Sequence, residues 1–248
     1  MNHIEHCDAL EIEVARFAAV LERADVKARV PSCPEWTVHD LAEHLGAIHR
    51  WAEHLVRLRA PKRIPSSEMG LELGPVDATW LRRGGAVLLA TLRQGNPEAP
   101  MWAWGADQHL RFWSRRQLHE TMVHRIDLEL AVGAAPFVEP PIATDAIDEF
   151  LVNLKGASYF SPKVNEIHGD HQMLRFTTTD TAGNWTIELR EDGFVLTRDA
   201  GGADVELSGA AANLSMVLYR RRDLDASEVD VQGDRDLLDF WLTNSALE

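Results

Sequence analysis

Hydrophobic positions recur with a helical period in the first half of the chain and alternate with polar positions in much of the second. In the first half, apolar residues recur at steps of three and four, as they do on the core-facing side of amphipathic helices. This pattern and a helix-favouring composition predict four helices, over about residues 4–27, 38–60, 76–93 and 110–132. Four helices of these lengths favour an N-terminal four-helix bundle.

Residues that favour helix ends sharpen these limits. Thr37 followed by Asp40 is typical of the start of a helix, because each side chain can bond the other's backbone N–H. Pro31 and Pro34 are incompatible with helix, so residues 30–36 are expected to form a rigid loop. Gly133 suits the position just beyond a helix end, where the backbone turns left-handed.

The pattern changes after Gly133. Three prolines within residues 134–141 indicate a linker, and residues 145–155 have a helical pattern. Alternation and short apolar runs predict strands near residues 171–179, 185–190, 194–197, 205–207 and 229–231, with helices over 209–221 and 234–242. The chain is therefore expected to divide into a helical bundle, residues 1–138, and a small α+β domain, residues 142–248.

Composition and charge limit the class of protein. The 248 residues are 45% hydrophobic, which is enough for a sizeable core. A net charge of −14 would repel nucleic acids and anionic membranes. Two cysteines are too few for a disulfide scaffold, and neither a signal peptide nor an 18-residue apolar span is visible. We expect a cytoplasmic protein that acts on small molecules, with no nucleic-acid or membrane partner.

A candidate metal site lies on two of the predicted helices. Glu120 and His124 are four residues apart, so their side chains share one helix face and lie about 6 Å apart along the axis. A third ligand has to come from another helix, and His44 is the best candidate, at the edge of the apolar stripe beside Leu41 and Leu45. Two histidines and one carboxylate leave a position open on a catalytic zinc ion.

Other interpretations of these residues stand beside this one. Glu/His pairs at this spacing are common on helix surfaces, and the chain has eleven histidines. His49 is the main rival as third ligand, although five residues from His44 it faces a different side. Asp127, one turn beyond His124, is expected to orient the imidazole of His124 without binding the metal itself. Mixed nitrogen and oxygen ligands accept zinc, nickel, iron or manganese, so the metal stays open.

Three further residues have two interpretations each. Trp102 and Trp104 lie in the predicted loop 95–107, where they could wall a substrate pocket or cap the end of the bundle. Cys33 could be a nucleophile near the site. A packing role is favoured for it, because no neighbouring Lys or Arg lowers the pKa of its thiol.

Three stretches resemble one protein family. Residues 30–46, VPSCPEWTVHDLAEHLG, resemble the segment that opens the second helix in DinB-like, mycothiol-dependent enzymes of the maleylpyruvate isomerase type. Residues 116–131, RQLHETMVHRIDLELA, resemble the second metal motif of that family. Within residues 207–234, the segments LSGAAANL, LYRRRDL and VQGD are similar to its sterol-carrier-protein-like C-terminal domain. The resemblance covers nearly the whole chain and implies a DinB-like four-helix bundle followed by that α+β domain.

The resemblance also implies a chemistry. The family's metal ligands fall on His44, Glu120 and His124, and the metal, usually zinc, holds the thiol of mycothiol, an actinobacterial cofactor, as thiolate. A C-terminal arginine of the family best matches Arg221, with its two neighbours as rivals, because this chain has Arg220-Arg221 where Gly-Arg is usual. The implied function is a metal- and mycothiol-dependent thiol transferase or isomerase acting on a small electrophile.

Two other functions compete with this one. The first is a non-catalytic small-molecule or lipid-binding protein with a structural metal, but structural zinc sites normally have four protein ligands. The second is a zinc-bearing anti-sigma-type regulator, which generally has a Cys-rich ligand set that this chain lacks. Neither the electrophile nor the oligomeric state is indicated by the sequence.

Overall fold

A computed structural model describes residues 1–70, 74–197 and 201–247. Its contacts divide the chain into two compact units. The first, called the helical unit here, comprises Met1–Ala103 and Asp107–Pro136. The second, called the α+β unit, comprises Trp104–Ala106 and Phe137–Glu248.

The helical unit is built on four long helices. They are α1 (His3–Leu21), α2 (Val38–Leu58), α3 (Ala78–Gln94) and α4 (Leu110–Ala131). Both α1 and α2 pack against α3 and α4, so the four helices close around one apolar core. The predicted four-helix bundle is thereby confirmed.

Local side-chain chemistry sets the helix ends. The capping box predicted at Thr37 is present: its hydroxyl accepts from the N–H of Asp40, 3.3 Å away, and the Asp40 carboxylate accepts from the N–H of Thr37 at 2.8 Å. Gly133 has a φ of 73°, as expected beyond a helix end. The first helix ends at Leu21, earlier than predicted, and the Asp25 side chain then accepts from the N–H of Lys27 in a turn.

The segment predicted to be a rigid loop contains a short hairpin instead. Its strands β1 (Arg29–Val30) and β2 (Cys33–Thr37) pair antiparallel, with Val30 opposite Cys33. Pro34 is tolerated because an edge strand does not need an N–H donor at every residue. The hairpin anchors itself through Val30, which is fully buried, and leads directly into α2.

Glycines allow α2 and α3 to approach closely. The ring of Trp80 lies over Gly46, where an added Cβ would be only 2.0 Å from the ring carbon Cζ3. The Arg50 guanidinium lies against Gly84 and donates to the carbonyls of Gly46 and Trp80, both at 2.9 Å. Gly84 is unfavourable within a helix, and this contact explains why α3 contains it.

The α+β unit combines helices with a mixed sheet. The strands are β3 (Met173–Thr178), β4 (Asn184–Arg190), β5 (Gly193–Thr197), β6 (Val205–Gly209) and β7 (Asp230–Gly233). In the sheet order β5-β4-β3-β6-β7, only the β3–β6 pair is parallel. The helices are α5 (Pro140–Ala157), α6 (Ala211–Leu218) and α7 (Arg235–Asn244), and α5 packs against α6. The predicted α+β fold class is confirmed.

The start of α5 corrects one prediction. Residues 134–141 were expected to form a linker, whereas the helix already begins at Pro140. Proline suits the first helical positions, because an N–H there has no partner within the helix.

Among the residues that the model describes, no helix has both the length and the apolar character needed to cross a bilayer.

Candidate metal centre

Three ligand atoms from two helices of the bundle converge on one point. His44 comes from α2, and Glu120 and His124 come from α4. The Glu120 Oε1 atom lies 3.5 Å from His44 Nε2 and 3.2 Å from His124 Nε2. All three ligand atoms lie within 4.8 Å of one another. The structure therefore brings together the three candidate ligands, His44, Glu120 and His124.

The second carboxylate oxygen of Glu120 accepts a hydrogen bond from another residue of α4. Arg116, one turn earlier on α4 and buried, donates from Nη2 to Glu120 Oε2 at 2.9 Å. Burial alone would raise the pKa of Glu120, but hydrogen bonds from His124 and His44 and the charge of Arg116 hold this pKa well below its usual range. Arg116 thus leaves Oε1 as the ligand atom. This role of Arg116 is not among the predictions from the sequence, although an Arg/Glu pair four residues apart on a helix could have suggested it.

A chain of hydrogen bonds stands behind His124. Its Nδ1 donates to Asp127 Oδ2 at 2.9 Å, and the Ser32 hydroxyl donates to the other carboxylate oxygen at 2.5 Å. Asp127 is fully buried, and its position is the one expected for a residue that orients the imidazole. In the metal-free protein, burial would lower the pKa of His124, but hydrogen bonds to Asp127 and Glu120 raise it to about 9.

The centre is open on the side of His44. The exposed fraction of the side chain falls from 35% for His44 to 21% for Glu120 and 11% for His124. The ring of Trp36, from the hairpin, lies beside both imidazoles, with its centroid 4.8 Å from that of His44 and 6.4 Å from that of His124. A molecule arriving from solvent would therefore meet His44 first.

His49, the rival ligand, lies in a different environment. It is fully buried, and its Nε2–H donates to the Thr121 hydroxyl at 2.9 Å, because that hydroxyl itself donates to the Gln117 carbonyl at 2.7 Å. Burial lowers the pKa of His49 to about 3, so the ring is neutral. It does not belong to the converging group, and His44 is favoured as the third ligand.

A second group of potential ligands, His39, Asp40 and Glu43, lies at the start of α2. Its histidine and aspartate are exposed, and the Asp40 carboxylate already accepts from the N–H and the hydroxyl of Thr37. These bonds give Asp40 a structural role at the helix start.

The two loop tryptophans lie in different units. Trp102 packs within the helical unit, with its ring centroid 6.1 Å from that of Trp51 and 5.9 Å from that of Trp113. Trp104 belongs to the α+β unit, where its ring centroid is 5.3 Å from that of Phe160. The two tryptophans are only two residues apart in the sequence, so the sequence pattern alone does not separate them.

The three consecutive arginines after α6 differ in their contacts. Arg220 is exposed and has a φ of 61°. Arg221 is half-buried and donates from Nη1 to the Tyr219 carbonyl at 2.7 Å. Arg222 donates from Nη1 to the side chain of Asn213 at 2.7 Å. Cys33, the remaining candidate, is half-buried in β2.

The donor set fits a divalent metal ion. Two imidazole nitrogens and one carboxylate oxygen are the protein ligands of many catalytic zinc sites. A histidine ligand whose other nitrogen bonds a carboxylate, as His124 bonds Asp127, is also usual at such sites.

These features define a two-unit protein with a candidate metal centre in its helical bundle. Two family models match the chain: the mycothiol maleylpyruvate isomerase N-terminal domain over residues 7–129, and the C-terminal domain of the same enzymes over residues 141–240. The chain therefore belongs to the mycothiol-dependent maleylpyruvate isomerase family. The family predicted from the sequence is confirmed, and so is the prediction of an enzyme of isomerase or transferase type.

Solved structures agree with this fold. A crystal structure of mycothiol-dependent maleylpyruvate isomerase is 14% identical, covers 94% of this chain and 93% of its own, and has a TM-score of 0.57. A point mutant of that enzyme is 13% identical with the same coverage and a TM-score of 0.59. At such identities the likeness shows the fold. No curated protein matches the chain in sequence.

Proposed function

We propose that this chain is a metal- and mycothiol-dependent thiol transferase or isomerase that acts on a small electrophile. His44, Glu120 and His124 would hold one divalent ion, with zinc favoured. The observation that carries the proposal is the convergence of their three ligand atoms within 4.8 Å, with one side of the group open. Family membership supports mycothiol as the thiol.

The donor set suits thiol activation. With neutral histidines it carries one negative charge, so a bound dication would keep a net positive charge that favours a coordinated thiolate over a thiol. Asp127 holds His124 with Nε2 directed at the ligand point, and Arg116 holds Glu120 with Oε1 directed there. Both ligands are therefore preorganised, and the exposed side at His44 remains for the sulfur.

Further residues are proposed to bind the electrophile. Arg221 would bind a carboxylate through its planar guanidinium, with Arg220 and Arg222 as rivals for this role. Trp102 would contact an apolar part of the substrate. It packs on Trp51, which is seven residues from His44 and so on the same face of α2, about 10 Å along the axis. A pocket role for Trp104 stays a prediction.

Elemental analysis combined with a mycothiol-binding titration tests this function. We expect about one metal ion per chain, lost in His44→Ala and His124→Ala together with mycothiol binding. His39→Ala is the matched control, because it removes an exposed histidine from the same helix and should retain both. The proposal fails if the purified protein contains no metal and added zinc does not bind.

The same titration separates this function from a non-catalytic one. Among the described residues, the converging group has three members, which favours an open catalytic site over a structural site closed by four protein ligands. A protein that keeps its metal but binds no thiol would support the non-catalytic alternative.

The predicted cytoplasmic location stays a prediction.

A further inference from the structure

The hairpin β1–β2 reaches the candidate metal centre at two points without supplying a ligand. Ser32 lies in its turn and Trp36 in its second strand. Ser32 bonds the carboxylate behind His124, and the Trp36 ring lies against His44. The two histidines belong to different helices. A single short hairpin therefore contacts both the carboxylate that bonds His124 and the imidazole of His44.

The Ser32 contact acts through Asp127. The two Asp127 oxygens are used separately, Oδ1 by the Ser32 hydroxyl at 2.5 Å and Oδ2 by His124 Nδ1 at 2.9 Å. A carboxylate bonded at both oxygens cannot rotate without breaking one of these bonds. Ser32 therefore holds the orientation of Asp127, and Asp127 holds that of the His124 ring.

The Trp36 contact acts directly on the other imidazole. The planes of Trp36 and His44 are inclined by 51°, with centroids 4.8 Å apart. His44 is the most exposed of the three candidate ligands. Contact with the large indole limits the rotation of this imidazole.

The hairpin is itself well placed to act as a support. Its turn contains only Pro31 and Ser32 between the paired residues Val30 and Cys33, and Pro31 restricts the backbone there. The hairpin packs against both α2 and α4, and β2 ends at the Thr37 cap of α2. It thereby connects the two helices that carry the ligands.

We propose that the β1–β2 hairpin is a positioning element of the metal centre, in which Ser32 orients His124 through Asp127 and Trp36 orients His44. This inference rests on the proposed function only in that His44, Glu120 and His124 bind a metal. Ser32 and Trp36 are positioning residues, since neither contributes a ligand atom.

Zinc affinity of the full chain, with the visible spectrum of the cobalt-substituted protein, tests the proposal. Ser32→Thr and Ser32→Val are a matched pair, because they have nearly the same shape and differ in the hydroxyl. Loss of a group that bonds a metal ligand directly typically lowers affinity about 10- to 100-fold. Ser32 acts one hydrogen bond further out, through Asp127, so we expect a smaller loss, up to about 10-fold, for Ser32→Val and near wild-type affinity for Ser32→Thr. The cobalt spectrum should change only in the valine variant.

Trp36 is tested by a second pair. Trp36→Phe keeps an aromatic ring beside His44, whereas Trp36→Ala removes it, and we expect weaker zinc binding and an altered cobalt spectrum for the alanine variant alone. Ser67→Ala, which removes an exposed serine, is the control for both series. Circular dichroism of the metal-free variants checks that each is folded.

The outcomes are distinct. Wild-type zinc affinity and an unchanged cobalt spectrum in Ser32→Val and Trp36→Ala, while His124→Ala loses the metal, would overturn the positioning role and leave the proposed function intact. If the wild-type chain binds neither zinc nor cobalt, the proposed function fails and this inference fails with it. If Ser32→Val does not fold, the Trp36 pair still decides whether the hairpin orients a ligand.

Discussion

His44 and His49 lie five residues apart on α2, but they differ in burial and in the group that each imidazole contacts. His44 is partly exposed beside a carboxylate oxygen, whereas His49 is fully buried against a neutral hydroxyl. A buried imidazole without a charged partner stays neutral because burial penalises its charged form. At the scale of single residues, burial and partner therefore separate a candidate ligand from a packing residue of the same type.

This difference predicts a pH effect on the stability of the metal-free protein. The pKa of His49 falls from an ordinary 6.5 to about 3 on folding, so the unfolded chain binds a proton that the native protein does not. The contribution of His49 to the unfolding free energy is therefore fully present above pH 6.5. It is lost as the pH falls towards 3, by about 1.4 kcal/mol per pH unit. Urea unfolding between pH 7 and 5 should show a shallower pH dependence for His49→Gln than for the wild type. Equal slopes would contradict this account.

At the scale of residues, geometry can be predicted from the sequence where one helix carries the information. Spacing placed Glu120, His124 and Asp127 on one face, and helix phase set His44 apart from His49. Ser32 was not predicted, because its bond to Asp127 joins residues 95 positions apart, and such a contact depends on how the hairpin and α4 pack.

At the scale of elements, the approach of α2 to α3 depends on which side chains are absent. The Trp80 ring occupies the space above Gly46 that a methyl group would fill. The indole plane is rigid, so it can move away from an added Cβ only as a whole. The packing of these helices, one of which carries His44, is therefore sensitive to a single methyl group.

Gly46→Ala should destabilise the protein even though alanine favours helix. We expect a loss of about 1–3 kcal/mol in unfolding free energy, because overpacking outweighs the gain of about 1 kcal/mol in helix propensity. In a Trp80→Phe background the loss should shrink, since phenylalanine lacks the Cζ3 and Cη2 atoms that lie nearest. Chemical denaturation of the four proteins in this double-mutant cycle measures the coupling, and an unchanged cost would exclude the overlap.

The elements themselves could largely be predicted, because periodicity and capping residues are local. The Thr37 capping box and the Gly133 stop marked two helix limits correctly. The hairpin was missed because a two-residue strand has too little pattern to detect, and Pro31 and Pro34 suggested a loop. The start of α5 was placed too late because Pro140 resembled a linker residue.

At the scale of the whole molecule, metal binding and folding are coupled through the proposed centre. Zinc that binds the folded chain alone adds about 2.7 kcal/mol to its unfolding free energy at a concentration 100 times the Kd. In the metal-free protein the pKa of His124 is raised to about 9, so His124 must release a proton to bind metal. Below pH 9, each pH unit should weaken zinc affinity about tenfold.

Unfolding with and without a fixed concentration of zinc, at pH 8 and at pH 6.5, measures this coupling. The stabilisation by zinc should be clearly smaller at pH 6.5. His124→Ala should show little stabilisation at either pH, which controls for zinc bound elsewhere. A zinc effect of equal size at both values would mean that no proton leaves His124 on binding.

The position of α4 has a consequence for how such proteins diverge. This helix supplies two of the three candidate ligands together with Arg116 and Asp127, and most of its remaining side chains are buried in the core. A substitution there would disturb either the packing or the metal centre, which leaves few neutral replacements. We expect sequence drift to accumulate elsewhere, so this helix should remain recognisable between relatives that share only 13–14% of their residues overall.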